Sequence, residues 1–212
     1  MKQDQNTPIE NLNRILYPAS STSIDRYSIA NHWTKDKKVL DAATGKGYGA
    51  GILLSLGAKE IVGIDVDEEG IKEANSRMGN QNCTFKYADI FNLKDFFKEK
   101  EFEVCTSIET FEHLPPERIC DYLQNLKFCT SEIIILTTPR RKVPIWHYQG
   151  GTHLYEYDKN EMIEILQKNF KEDQIQIAGL YEHQLPNGQW GTDISNDIDN
   201  CHVFFCIINL KK

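Results

Sequence analysis

From about residue 38 onward, short apolar runs of strand length alternate with stretches of helical period, a pattern of repeated βα units that predicts a parallel sheet covered on both faces. The predicted strands are residues 38–40, 61–64, 84–86, 104–108 and 132–137. Helical stretches lie between them at 50–56, closed by Gly57, at 68–78, closed by Gly79, and at 117–128, opened by Pro115 and Pro116. After Asp158, apolar residues at 162, 163, 165 and 166 predict an amphipathic helix with Asp158 as its N-cap. Two further β runs, 174–180 and 202–210, are separated by about twenty polar residues rich in Asn, Asp and Gly, so they read as a terminal hairpin with a long loop. The first 37 residues, with Tyr17, Ile24, Tyr27 and Trp33, read as one or two helices packed outside the sheet.

The chain has 212 residues, a length that favours a single domain with a real core, here an N-terminal helical segment over 1–37 and the main core over 38–212. The longest strongly apolar stretch, near 201–210, is far short of the ~20 residues that span a bilayer, and the opening MKQDQNTPIE has no apolar signal core. A soluble, cytoplasmic protein without a membrane partner is the expectation. Six cysteines are present, several inside apolar runs and none in a CxxC pair, which predicts buried free thiols in a reducing compartment. With 24 Lys and Arg against 31 Asp and Glu, the net charge of −7 argues for a small-molecule ligand and against nucleic acid.

Candidate chemistry begins with VLDAATGKGYG over residues 39–49, where a buried strand runs directly into Gly45, Gly47 and Gly49 and then a helix. Glycines at such a turn allow positive φ and close approach of a ligand to the backbone. Twenty residues after Gly45, at the end of the second apolar strand, Asp65 stands where an acid accepts both ribose hydroxyls of an adenosine ligand. Gly45, Gly47 and Ala50 also satisfy the loose dinucleotide fingerprint, which keeps an NAD-dependent oxidoreductase as a rival. Asp41, four residues before Gly45, tips the choice, because a carboxylate facing the turn would repel a pyrophosphate but suits the ammonium group of an amino-acid cofactor.

On these residues the chain resembles the class I S-adenosylmethionine-dependent methyltransferases over about residues 20–208. The resemblance implies a Rossmann-like, doubly wound α/β fold whose seven-stranded sheet is mostly parallel with the last strand antiparallel. It implies that 43–47 passes under the methionine part, that Asp65 holds the ribose, and that Asp89 in YADIF meets the adenine beside Ile90. The cofactor set it implies is Asp41, Ala43, Gly45, Gly47, Asp65, Val66, Asp89, Ile90 and Ile108. One departure is Thr44, where many members carry Cys or Gly. The run DRYSIANHW before the first strand resembles members that act on small metabolites and sugars.

A second constellation follows the fourth strand, in SIETFEHLPP. On a helical turn Glu109, Glu112 and His113 share one face, and a parallel sheet delivers that turn to the carboxyl ends of its strands, beside the cofactor. His113, with Glu112, could serve as a general base on a substrate hydroxyl, or the cluster could hold Mg²⁺, Mn²⁺ or Fe²⁺. Glu-x-x-Glu-His resembles methyltransferases that use a divalent metal, among them ubiquinone-biosynthetic O-methyltransferases and small-RNA 2′-O-methyltransferases. In the RNA enzymes a downstream histidine completes the site, and the matching segment HLYEY makes His153 the fourth ligand. A purely structural Glu-His pair is the remaining reading. His147 has no such match and reads as a loop or substrate contact. The N-terminal segment and the loops 140–151 and 181–200, with Trp146, Tyr148, Tyr155, Tyr181 and Trp190, are the material for a substrate cover.

The function implied is S-adenosylmethionine-dependent O-methylation of a small polar acceptor, a nucleotide-linked or glycan sugar first, a small phenol second and an RNA 3′ end third.

Overall fold

The computed structural model describes residues 22–143, 153–188 and 190–212. Helix α1 (Thr22–Thr34) leads into strand β1 (Lys38–Ala42), followed by α2 (Tyr48–Ser55), β2 (Glu60–Asp65), α3 (Glu68–Met78), β3 (Cys83–Tyr87), β4 (Phe102–Ile108), α4 (Ile119–Cys129) and β5 (Thr130–Pro139). Then come α5 (Lys159–Asn169), β6 (Ile175–Gln184), β7 (Trp190–Ser195) and β8 (Val203–Asn209). The strands form one sheet in the order β3-β2-β1-β4-β5-β8-β6-β7. Pairing is parallel from β3 through β5, while β8 runs antiparallel to both β5 and β6.

Alternation along the strands splits the interior into two cores, the mark of a doubly wound sheet. Leu40, Ile134, Leu136, Phe204 and Ile208 face α4 and α5 and pack with Tyr122, Leu126, Met162 and Leu166. Their neighbours Val39, Ile61, Ile135, Phe205 and Ile207 face the other way, onto Tyr27 and Trp33 of α1, Leu53 of α2 and Ala74 of α3. The N-cap foreseen at Asp158 is present and closes a capping box with Glu161 on α5, and α3 has a cap not foreseen from sequence, Asp67 accepting the Glu69 amide. Such a cap is worth about 1 kcal/mol.

Among the described residues the sheet has eight strands, not seven. Most of the stretch from 181 to 195 is not loop. β6 runs on to Gln184, turns at Gly188 (φ +82°), and returns as β7, which pairs antiparallel over Gly179–Gln184. Its polar composition hid it, because an edge strand has one bonded neighbour and needs few apolar residues. Thr192 on β7 is nonetheless buried, with its hydroxyl donating to Asp25 of α1 at 2.7 Å. The terminal hairpin is therefore β6 with β8 at its centre and β7 added outside. All six cysteines are free, and all but Cys120 are buried. Among the described residues no helix is long and apolar enough to cross a membrane. Tyr17 and the rest of 1–21 lie outside the described residues.

Gly47 caps α2 in the left-handed region, at φ +77°. A Cβ there would lie 2.5 Å from the Phe85 ring and 2.9 Å from Ala74. We expect Gly47→Ala to lower stability by about 1–3 kcal/mol, read as a lower urea midpoint at unchanged slope.

Candidate active site

The strand order reverses between β1 and β4, and the carboxyl ends of these two strands open onto a pair of adjoining cavities. The larger, about 600 Å³, lies over the glycine loop against Thr44, Gly45, Gly49 and Ile108, with Ile24 and Tyr27 of α1 as one wall. The smaller, about 330 Å³, is bounded by Asp65, Val66, Ala88, Ile90, His113 and Leu114. Ala43 and Glu109 border both. These two residues follow the ends of β1 and β4, and each adopts the left-handed backbone, at φ +60° and +54°. That conformation costs a side-chain-bearing residue roughly 1–2 kcal/mol, so the chain is held in a strained turn on both sides of the switch point.

Beneath the larger cavity Asp41 is fully buried. Its carboxylate accepts hydroxyl hydrogen bonds from Thr44 at 2.6 Å, Thr106 at 2.7 Å and Tyr27 at 3.2 Å. Burial pushes this carboxyl up to about 6, against the pull of the three hydroxyls. Asp41 does not line either cavity; Thr44 and Tyr27 stand between it and the larger one. Gly47 lines neither cavity, and the space its missing Cβ leaves is taken by Phe85 and Ala74. Gly45 does line the larger cavity and has open space where a Cβ would be.

In the smaller cavity Asp65 accepts the amides of Gly45 at 2.8 Å and Asp67 at 3.0 Å, which ties the glycine loop to β2. Val66 beside it is 59% exposed, an apolar face with room for a flat ligand. Ile90 is in the wall, whereas Asp89 turns to cap its own loop, accepting from the Phe91 amide and the Asn92 side chain.

Three of the four foreseen metal-site residues converge. Glu112, His113 and His153 each offer a ligand atom within 4.8 Å of the others. The His113 and His153 rings meet edge to face at 4.9 Å. Glu112 is fully buried. Its Oε2 accepts from Thr138 at 3.0 Å, while Oε1 has no hydrogen-bond partner and lies 3.8 Å from His113 Nε2. Burial, and then the nearby Glu109 carboxylate, push Glu112 up to about 7. A buried carboxylate oxygen with nothing bonded to it, facing two imidazoles, fits a divalent cation.

Glu109 stands apart from the three. The helical turn expected across 109–113 does not form: Glu109 is left-handed, and a short 3-10 turn begins only at Phe111. Glu109 therefore accepts from the Thr137 hydroxyl at 2.8 Å and pairs with Arg26 of α1 at 3.5 Å. Arg26 also grips Glu182 of β6 at 2.7 Å, so one guanidinium joins α1, the β4 turn and the edge hairpin.

Trp146, His147 and Tyr148 lie outside the described residues. Tyr155 packs on Tyr157 and Arg141 and bonds Glu161, Tyr181 bonds the Asp197 carbonyl, and Trp190 is exposed on β7. The residues that sequence reasoning passed over are chiefly hydroxyls and Arg26. Thr44, Thr106, Thr137 and Thr138 each bond a carboxylate of the site, and only strand register brings Thr106 beside Asp41.

Residues 39–131 match the family described as a methyltransferase domain. Among curated proteins none matches the chain. Similar solved structures include a SAM-dependent methyltransferase from Archaeoglobus fulgidus, 17% identical, with a TM-score of 0.67 over 88% of this chain and 92% of that one. The methyltransferase domain of the bacterial protein CtHen1-C is 18% identical, with a TM-score of 0.63 over 88% and 97%. A SAM-dependent methyltransferase from Mesorhizobium loti is 12% identical, with a TM-score of 0.62 over 87% and 97%. The fold is that of SAM-dependent methyltransferases.

Because the fold holds Glu112 near 7 against an ordinary 4.5, it favours the protonated acid. Stability is then lost as pH rises from about 4.5 to 7, and the loss is complete above 7. We expect Glu112→Gln, assayed with chelator present, to melt above the parent at pH 8, with the gap closing by pH 5 in thermal denaturation.

Proposed function

We propose that this chain is an S-adenosylmethionine-dependent O-methyltransferase acting on a hydroxyl of a small polar acceptor, a nucleotide-linked or glycan sugar being the first class. The observation that carries the reading is the cluster of Glu112, His113 and His153, of which His113 lines the smaller part of a two-part cavity, with the glycine loop in the larger part and Asp65 in the smaller. The smaller part suits an adenosine, with Asp65 for the ribose hydroxyls and Val66 and Ile90 against the base. Over Thr44 and Gly45 the larger part suits the methionine portion, with the charge of Asp41 relayed through the Thr44 and Tyr27 hydroxyls. The N-terminal segment serves as the cover of a single catalytic domain, since Ile24 and Tyr27 already wall the larger cavity.

A divalent metal belongs to this reading, with Glu112, His113 and His153 as its protein ligands. Bound there, it would supply Lewis acidity that lowers the pKa of the acceptor hydroxyl. The chain's own residues orient the pieces: Thr138 fixes one oxygen of Glu112 and leaves the other to a cation, and Thr137 and Arg26 keep the Glu109 carboxylate at the junction of the two cavities. Holding acceptor oxygen and methyl carbon in line is the main contribution, worth up to ~7–11 kcal/mol in the best intramolecular models. A second reading, His113 as a direct general base, draws on its exposed ring in the wall of the smaller cavity.

Exhaustive chelation is expected to stop methyl transfer to sugar hydroxyls, and Mg²⁺, Mn²⁺ or Fe²⁺ to restore it; full activity after chelation, with no metal by elemental analysis, leaves His113 as the base. Titration calorimetry should show S-adenosylmethionine binding and no heat with NAD. Asp65→Ala is expected to weaken cofactor binding at least about tenfold through loss of charge-assisted bonds to the ribose, with circular dichroism unchanged.

A further inference from the structure

The segment that follows His153 is fastened by backbone hydrogen bonds to Glu112 and to Arg141. The Leu154 and Tyr155 amides both donate to the Glu112 carbonyl, at 2.8 and 3.1 Å, so the backbone on one side of His153 hangs from the residue it faces. Two residues on, the Glu156 carbonyl accepts from Arg141 Nη1 at 2.9 Å, and Arg141, itself almost wholly buried, is locked by Asp158 and Glu161 at 3.0 Å each. Within this clamp Glu156 Oε1 lies 2.8 Å from His153 Nδ1, with both side chains mostly buried. A carboxylate only accepts, so the proton between them sits on Nδ1 and the imidazole lone pair is left on Nε2. Nε2 is then the one nitrogen of His153 that can ligate.

We infer that Glu156 is a positioning residue: it holds His153 as the Nδ1–H tautomer and presents Nε2 to the point shared with Glu112 and His113. This rests on the metal reading of those three residues. Carboxylate partners of this kind orient a ligating histidine and raise its basicity, and their loss typically weakens metal binding about 10–100-fold.

The test uses the whole chain and Mn²⁺ alone. Imidazole nitrogen shifts of ¹⁵N-labelled protein at pH 8, with the His153 signals assigned by their loss in His153→Ala, should show protonated Nδ1 and bare Nε2. Glu156→Ala should mix the tautomers and Glu156→Gln, whose carbonyl oxygen accepts the same bond, should restore the parent pattern. In Mn²⁺ titrations followed by electron paramagnetic resonance, Glu156→Ala should bind about 10–100-fold more weakly and Glu156→Gln nearly as well as the parent. If parent and Glu156→Ala hold Mn²⁺ equally, with His153 unchanged in its spectrum, the positioning role falls and the metal reading stands. If the parent itself retains no Mn²⁺, the metal reading falls and takes this role with it.

Discussion

The Asp41 carboxylate, buried and held by hydroxyl groups, is the constraint around which the rest of the site is arranged. Removing a carboxylate from water costs several kcal/mol unless donors replace the lost hydration. Here the donors are three hydroxyls from three places in the chain: Tyr27 on α1, Thr44 in the glycine loop and Thr106 on β4. Each bond positions its element. Thr106 pins the register of β4 against β1, Thr44 sets the turn that follows Ala43, and Tyr27 draws α1 down over the larger cavity. Tyr27 is seated by packing as well, because Gly49 has no Cβ and the ring occupies that space.

From this anchor the strain at the strand ends becomes intelligible. Ala43 and Glu109 take left-handed backbone at the two points where the sheet must open, and both are over-determined by their surroundings. After Ala43 the chain is held by the Thr44 amide on the Ile64 carbonyl, and the Glu109 amide is held by Thr137. The same turn that strains Glu109 directs its carboxylate to Arg26 and lets the 3-10 turn carry Glu112 inward and His113 to the wall of the smaller cavity. The paired cavities and the carboxylate-histidine cluster thus share one backbone feature.

The strands and helices were legible because their apolar periods differ. Ile133 to Leu136 alternates strictly between the two cores, and α5 announced itself by Asp158 and its apolar stripe. What misled was composition without periodicity. Trp190–Ser195 is a strand whose burial depends on Asp25 of α1, 167 residues away, and no local pattern encodes that contact. Asp65, Ile90 and the Glu112–His113 pair could be expected near the carboxyl ends of the sheet because their spacing from a recognisable strand end is short. Glu109 was misplaced because i, i+3 geometry was assumed across a residue that is not helical. Arg26 and the threonines carry no spacing signal at all, since their partners are fixed by register and helix docking.

Electrostatics unites these parts. Asp65 and Glu109 line the two cavities, Asp41 is buried beneath the larger, Glu112 precedes His113 of the smaller one's wall, and Arg26 pairs with Glu109 and Glu182. Such a cavity disfavours the pyrophosphate of a dinucleotide and favours a ligand bearing positive charge. A sulfonium methyl donor bears that charge at the atom that reacts. For the proposed reaction, transfer of the methyl group to a hydroxyl neutralises the sulfur, and the attraction of the surrounding carboxylates falls at the moment the product forms. On that proposal the nearby carboxylates would draw the donor in and hold its demethylated product less tightly, so one charge would serve binding and release together.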